Sequence, residues 1–353
     1  MKHAEVFQAW GRILSGRAPS MSIEITRECP LRCPGCYAYE DNHLGGLTTL
    51  RQLSDHRGDE LVRRVLAIVD RERPLHLSIV GGDPLVRCRE LEELLPQLAA
   101  RNIFVQVVTS AFRQIPQEWA RIPRLNIVIS IDGLQPEHDQ RRKPATYERI
   151  LRNIAGHQVI IHTTITGQTL KRGGYWEEFL QFWTPRAETR KIWISLFTPQ
   201  RGAPPAPEDV SPAQRAELVR QLFEWREKYP KLDMARGLIQ EFEHPPQRPE
   251  DCIFAQTTKI ISADLKTRVT PCQFGGDPDC SQCGCVASMG LAAVGNYKLA
   301  GGLTAGMVFR ASARIGSVVT RLRAATGELR SRDESPVATE TTLQPARHSN
   351  PGN

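Results

Sequence analysis

The sequence predicts a parallel α/β protein of six βα units followed by a smaller cysteine-rich segment. Three observations carry that prediction. Six compact, β-branched runs recur along the first two-thirds of the chain, each of strand length. Amphipathic stretches of helical period separate them, the alternation that builds a parallel sheet with helices packed on it. Eight of the nine cysteines lie outside the runs, in two groups with metal-type spacings.

The elements follow in order. Within residues 1–20, Val6, Phe7, Trp10, Ile13 and Leu14 stand at helical spacing, flanked by Lys2, Arg12 and Arg17. They predict a short amphipathic helix that covers the bottom of the fold or lies on a membrane. Strands are expected at 21–26, 75–80, 103–109, 125–131, 158–165 and 191–197. Helices are expected at 58–72, 88–101, 144–155 and 174–183, with a weaker one at 115–121. At 212–229 a helix begins cleanly: Ser211 caps it, Pro212 takes the first turn and Gln214 completes a capping box. Six βα units specify either an open sheet or part of a barrel. The proline-rich segment 198–212 is a connecting loop or a lid over the strand ends.

Composition excludes several classes. The 353 residues are 40% hydrophobic and contain no apolar run long enough to span a bilayer. The opening MKHAEVFQAWGRIL lacks the apolar core and cleavage site of a signal peptide, so a reducing cytoplasmic compartment is expected. A net charge of +7 permits an anionic partner without specifying one. No basic patch interleaved with aromatics is visible, so nothing supports a nucleic-acid partner.

The first cysteine group reads CPLRCPGCYAY, with Cys29, Cys33 and Cys36 directly after the first strand candidate. Pro30, Pro34 and Gly35 break helix and strand, so the thiols sit on an irregular loop able to wrap a soft metal centre. Zinc needs a fourth ligand, for which His43 is the candidate. An iron–sulfur cubane held by three cysteines instead leaves one iron open. After the second strand comes Gly81-Gly82-Asp83-Pro84; after the fourth, Ser130-Ile131-Asp132-Gly133. Strand ends are where ligands gather in parallel α/β folds. The glycines let backbone approach a ligand, and Asp83 accepts hydrogen bonds. On its own the Asp83 turn reads as a simple βα turn with a helix-capping aspartate.

Together these motifs resemble the radical S-adenosylmethionine (SAM) superfamily, whose CxxxCxxC loop follows the first strand of a partial (β/α)6 TIM-like barrel. The resemblance implies a [4Fe–4S] cluster on Cys29, Cys33 and Cys36 whose open iron chelates SAM. Reduction then cleaves SAM to a 5′-deoxyadenosyl radical. It further implies that Gly81, Gly82 and Asp83 form the GGEP-like turn for the SAM amino group, with Asp in place of Glu. Ser130 and Asp132 lie near the ribose or the substrate. Thr109-Ser110 reaches toward the ribose, and Arg141 or Arg142 meets the SAM carboxylate or belongs to a solvated loop. Gly35 stands where an aromatic often faces the adenine, and Tyr37 is the candidate substitute. Cys88, alone at a helix start, reads as a small buried side chain.

Residues 244–285 hold the second group: Cys252, Cys272, Cys280, Cys283 and Cys285. TKIISADLKTRVTPC, between the first two, reads as a β-hairpin turning near Asp264–Lys266. Four-cysteine zinc is one reading. The arrangement also resembles the twitch and SPASM auxiliary-cluster domains, implying a second [4Fe–4S] cluster on Cys252, Cys272 and two of the last three. The core is then 21–243. In the segment 286–327, Val308, Ala311, Ile315, Val318, Val319 and Leu322 share helical spacing, with Arg310, Arg314 and Arg321 on another face. That face packs on the barrel or lies on anionic lipid at the inner membrane face. The glycine-rich stretch before it is a poor isolated helix. Residues 328–353 are polar and patternless, and disorder is expected there.

The expected activity is radical modification of a small molecule or a lipid, with a cellular reductant such as flavodoxin or ferredoxin. About twenty residues precede the first strand, too few for the leader-binding domain of many peptide maturases. A peptide-modifying maturase and an iron–sulfur electron carrier that does not use SAM are the alternatives. The second leaves Asp83 and the Ser130–Gly133 turn without a role.

Overall fold

A computed structural model describes residues 3–144 and 147–325. In chain order the elements are α1 (His3–Leu14), β1 (Ser20–Glu24), α2 (Gly58–Glu72), β2 (His76–Val80), α3 (Cys88–Ala100), β3 (Phe104–Thr109) and β4 (Leu125–Ser130). Then come α4 (Glu137–Arg141), α5 (Tyr147–Asn153), β5 (Val159–Ile165), α6 (Tyr175–Trp183), β6 (Thr189–Leu196) and α7 (Pro212–Lys228). The last are α8 (Arg236–Glu241), α9 (Ile253–Thr257), β7 (Thr258–Ile261), α10 (Val286–Gly295) and α11 (Ala305–Ala325). The expected tail, 328–353, lies outside the described residues.

The strands form one parallel sheet in the order β6-β5-β4-β3-β2-β1-β7. Its two edges, β6 and β7, do not pair, so the barrel is partial, as expected. Register explains the core. Ile23, Ile79, Val107 and Ile127 lie level across four strands, and all are buried under the helices. One residue out of phase, Ser22, Ser78, Gln106 and Asn126 form a polar row on the opposite face. His162 and Ser195 extend that face on β5 and β6, joined at 2.9 Å. Alternation of this kind gives one apolar face for the helices and one polar concave face.

Two differences from the sequence reading matter for the site. The sheet has seven strands, because β7 adds in parallel to the outer edge of β1 before returning through a tight turn. The return bridges Ile261 to Arg268 in antiparallel sense, so the expected hairpin exists but its first strand belongs to the barrel sheet. Residue 244 therefore marks no break in that sheet. The expected helix at 115–121 is a 3-10 turn, Gln117–Arg121. The glycine-rich stretch forms a real helix, α10, whose Ser288, Met289 and Gly295 are buried; packing outweighs poor propensity.

Candidate active site at the carboxyl rim of the sheet

From Glu24 at the end of β1 the chain runs without regular structure to a 3-10 turn at Tyr37–Tyr39. Cys29, Cys33 and Cys36 lie on this loop, each partly buried and none in a disulfide. Burial pushes the Cys29 thiol up to about 12 and raises those of Cys33 and Cys36. The Arg142 guanidinium opposes that rise at both Cys33 and Cys36. Arg142 reaches the loop because the Arg32 N–H donates to the Lys143 carbonyl, tying the two segments together.

Among the described residues, no three histidine, cysteine, aspartate or glutamate side chains converge as closely as one metal ion requires. Cys29, Cys33 and Cys36 influence one another's charge on this one loop, and three such thiols suit a multi-iron cluster, whose irons each take one cysteine. His43 is not a spare zinc ligand. Its Nε2 meets Glu24 at 2.7 Å and its Nδ1 meets the Phe274 carbonyl at 3.0 Å, in full burial. Burial would push this imidazole down, but the Glu24 carboxylate outweighs it and raises it.

The Gly81-Gly82 turn is required by close approach, although to the protein's own backbone. A Cβ on Gly81 would sit 2.3 Å from the Glu24 Cβ, and one on Gly82 would sit 2.0 Å from the Glu28 carbonyl. Both glycines have positive φ. The turn thereby seats the end of β2 against the start of the cysteine loop, and the Asp83 N–H donates to the Glu28 carbonyl at 2.9 Å.

Asp83 caps the following turn, as its reading in isolation has it, and its carboxylate is held by protein donors. Its Oδ1 accepts from the Leu85 N–H at 3.0 Å and from the Thr109 hydroxyl at 2.6 Å. Its Oδ2 accepts from the Ser110 N–H at 2.8 Å and the Ser110 hydroxyl at 2.5 Å. A carboxylate offers about four lone-pair directions, so this one is saturated by protein donors. Thr109 and Ser110 are likewise committed to Asp83 as donors. The aspartate caps Pro84–Arg87 and locks the ends of β2 and β3 together.

After β4, Asp132 is 4% exposed and anchors a cationic pair. Its Oδ2 accepts from the Arg141 Nε at 3.2 Å and the Arg142 Nε at 2.9 Å; its Oδ1 accepts from the Thr164 N–H at 3.2 Å. Burial would raise this carboxyl, but Arg142 and Arg141 hold it well below the usual carboxylate range. Ser130 pairs across to His162 on the sheet. Segment 198–212 crosses this rim, with the Gly167 N–H on the Glu208 carbonyl and Arg201 N–H on Asp277. Tyr37 does not extend away from the protein. Its ring meets His43 at 5.7 Å and Phe274 at 5.5 Å between centroids, which turns it toward the second cysteine group. Cys88 is buried in the core, as expected.

The second group assembles at the same rim. Cys252, Cys272, Cys280, Cys283 and Cys285 line one cavity together with Phe254, Phe274 and four prolines. Burial pushes the Cys272 thiol up to about 12 and that of Cys280 to about 11. The charges of Cys252, Cys272, Cys280 and Cys283 reach one another in all six pairings. Cys285 is set apart. It reaches Cys283 and Cys272, begins α10, and accepts from the Gln273 amide at 3.2 Å. Gly284 packs on the end of β6, where its carbonyl accepts from the Leu196 N–H at 2.8 Å.

Sequence reading missed three residues of this rim. Arg215 on α7 donates to the carbonyls of Gln282 at 2.7 Å, Cys283 at 3.0 Å and Phe242 at 3.1 Å, clamping the Cys280–Cys283 turn. Glu24 joins β1 to His43 and, through its other oxygen, to the Ser262 hydroxyl. Ser288 meets the Cys252 sulfur at 3.1 Å. Only Glu24 carried a signal, the one charged residue in its strand.

A partial parallel barrel thus carries two groups of cysteines at its carboxyl rim, the ligand type of iron–sulfur clusters. Residues 23–180 match the family model described as the Radical SAM superfamily. A [4Fe–4S] cluster and SAM are the cofactors of that family. Among solved structures, the chain resembles SuiB of Streptococcus suis bound to SAM (16% identity, 74% of this chain, 62% of that chain, TM-score 0.54). The same protein bound to precursor peptide SuiA aligns at 14% identity over 74% and 61%, with a TM-score of 0.52. Native anSMEcpe with bound AdoMet aligns at 13% identity over 86% of this chain and 99% of that chain, with a TM-score of 0.52. The chain thus spans about three-fifths of the SuiB length. No curated protein matches the sequence.

Proposed function

We propose that this chain reductively cleaves SAM at a [4Fe–4S] cluster on Cys29, Cys33 and Cys36 to start radical modification of a small molecule or a lipid. A second [4Fe–4S] cluster, on Cys252, Cys272, Cys280 and Cys283, forms a twitch-like auxiliary centre. The observation that carries this reading is the shared rim. Tyr37 adjoins Cys36 and meets Phe274, which lines the second cysteine cavity. Two such centres on one substrate-facing edge suit an enzyme that couples radical chemistry to electron transfer.

When bound, the cluster and SAM supply a hydrogen-abstracting radical. The chain's own residues prepare the place. Arg142 offsets the negative charge that Cys33 and Cys36 gain on ligation. Asp83 holds the ends of β2 and β3, so the backbone of the Gly81-Gly82 turn presents its polar groups to the SAM amino group. Asp132 keeps Arg141 and Arg142 together near the ribose and substrate side. Electrons come from a flavodoxin- or ferredoxin-type reductant, in the cytoplasm. Among the described residues no helix is long and apolar enough to cross a membrane.

A peptide substrate is the second reading. It is favoured by the fold relatives, SuiB bound to precursor peptide SuiA and anSMEcpe with a bound Cp18Cys peptide. The test is anaerobic incubation of reduced, reconstituted enzyme with SAM. 5′-Deoxyadenosine is expected from the wild type and none from the Cys29, Cys33, Cys36 triple alanine variant. Equal product from both would reject the proposal.

A further inference from the structure

The two terminal helices pack in a way that leaves the wrong face of α11 outward for a structural helix. The face that meets α1 consists mostly of small residues: Ala305, Ser312, Ala313, Gly316 and Thr320, with Phe309 the one large member. A Cβ on Gly316 would lie 2.0 Å from the Ile13 carbonyl, and one on Gly16 would lie 2.1 Å from the Thr320 hydroxyl. Backbones this close leave no room for large side chains between the helices. Trp10 and Phe309 close one end of the contact at 5.9 Å.

The large apolar residues therefore point away. Met307, Ile315, Val318 and Leu322 are 47%, 54%, 53% and 60% exposed. At 3.6 residues per turn they fall within an arc of about 80°. Arg310, Arg314 and Arg321 are exposed and fall within about 40° along one edge of that arc, with Arg310 also lining a cavity that holds Glu241 and Asp251. The helix contains no acidic residue, and among the described residues none of these arginines forms an ion pair. A continuous apolar stripe edged by unpaired guanidinium groups is the pattern of a helix that lies in an anionic interface.

We infer that α11 docks this enzyme on an anionic bilayer, with Met307, Ile315, Val318 and Leu322 among the acyl chains and Arg310, Arg314 and Arg321 at the phosphates. A second copy of the chain fits the face poorly. Four half-exposed side chains fall short of the roughly 800 Å² per partner of a stable interface. An antiparallel copy would also bring two arginine rows together. Anionic headgroups satisfy the arginines directly, and the stripe supplies the insertion. The inference rests on the proposed function only in its consequence, that a membrane-borne lipid is within the enzyme's reach.

The test is flotation of the full chain with phosphatidylglycerol vesicles and with phosphatidylcholine vesicles at low and high salt. Binding is expected to the anionic vesicles alone, weakening as salt rises. Each arginine contributes about 1 kcal/mol, or about fivefold, so the Arg310, Arg314, Arg321 triple glutamine variant should bind roughly 100-fold more weakly. Val318→Asp with Leu322→Asp should abolish flotation. All these side chains are exposed, and unchanged SAM cleavage in each variant reports an intact fold and reads the radical chemistry separately. Absence of wild-type flotation with anionic vesicles at low salt overturns the inference. So does a dimer in light scattering that Leu322→Asp converts to monomer, because the face then belongs to a second copy.

Discussion

Replacing Asp83 by alanine separates two roles for this carboxylate. In the structure it accepts four hydrogen bonds from protein donors and is 2% exposed. Alanine strands the Leu85 and Ser110 backbone N–H groups in a dry site, while the Thr109 and Ser110 hydroxyls can turn to other partners. Each stranded buried donor costs about 1–3 kcal/mol, the Leu85 N–H being the lost cap itself. A destabilisation of about 2–6 kcal/mol follows from the two donors, read as a fall of about 5 °C in anaerobic thermal unfolding of a chain this long. SAM affinity, measured by calorimetry well below that transition, should fall only as far as the Gly81-Gly82 turn shifts. Asp83→Asn should recover part of the stability, because its one oxygen can still cap Leu85. Unchanged stability together with a large loss of SAM affinity would refute this reasoning. That result would mean the carboxylate meets the SAM ammonium directly.

Other expectations concern the second centre and the pH response. Arg215→Ala removes three charge-assisted hydrogen bonds from the Phe242 and Cys280–Cys283 region. The auxiliary centre should lose iron on gel filtration while the Cys29–Cys36 centre keeps its own. Cys285→Ser should retain both centres, whereas Cys283→Ser should lose about four irons per chain by elemental analysis. Burial, with help from Arg142, lowers the His138 imidazole to about 4, against an ordinary value of about 6.5. Its folded state is neutral where the unfolded state binds a proton. The stabilisation is complete above about pH 6.5, amounts to roughly 3 kcal/mol, and is lost as pH falls toward 4. Unfolding midpoints should drop over that window, and His138→Asn should flatten the drop.

Much of the fold was legible because buried parallel strands advertise themselves. The runs at 75–80, 103–109 and 158–165 appear as strands within a residue of their expected limits. β7 was not, since four residues beside a cysteine look like part of a local hairpin, and their partner β1 lies at the far end of the chain. The α11 periodicity was visible, but volume misled. Large apolar residues ordinarily mark the buried face, whereas here the glycines at 16 and 316 select a small-residue contact and turn Ile315 and Leu322 outward. At the site, the cysteines were identifiable from spacing alone. The role of Asp83 was not, because Thr109 and Ser110 reach it only through the fold. Arg215 carried no sequence signal at all, as its partners are backbone carbonyls some seventy residues away.

Two distinct iron–sulfur centres in one chain form the central claim, and metal analysis with Mössbauer spectroscopy of the anaerobically reconstituted protein tests it most directly. About eight irons per chain in cubane environments are expected for the wild type. The Cys29, Cys33, Cys36 triple alanine variant and the Cys252, Cys272 double alanine variant should each retain about four, in different centres. Zinc bound at the Cys252–Cys283 site, with iron confined to the first centre, would contradict the claim.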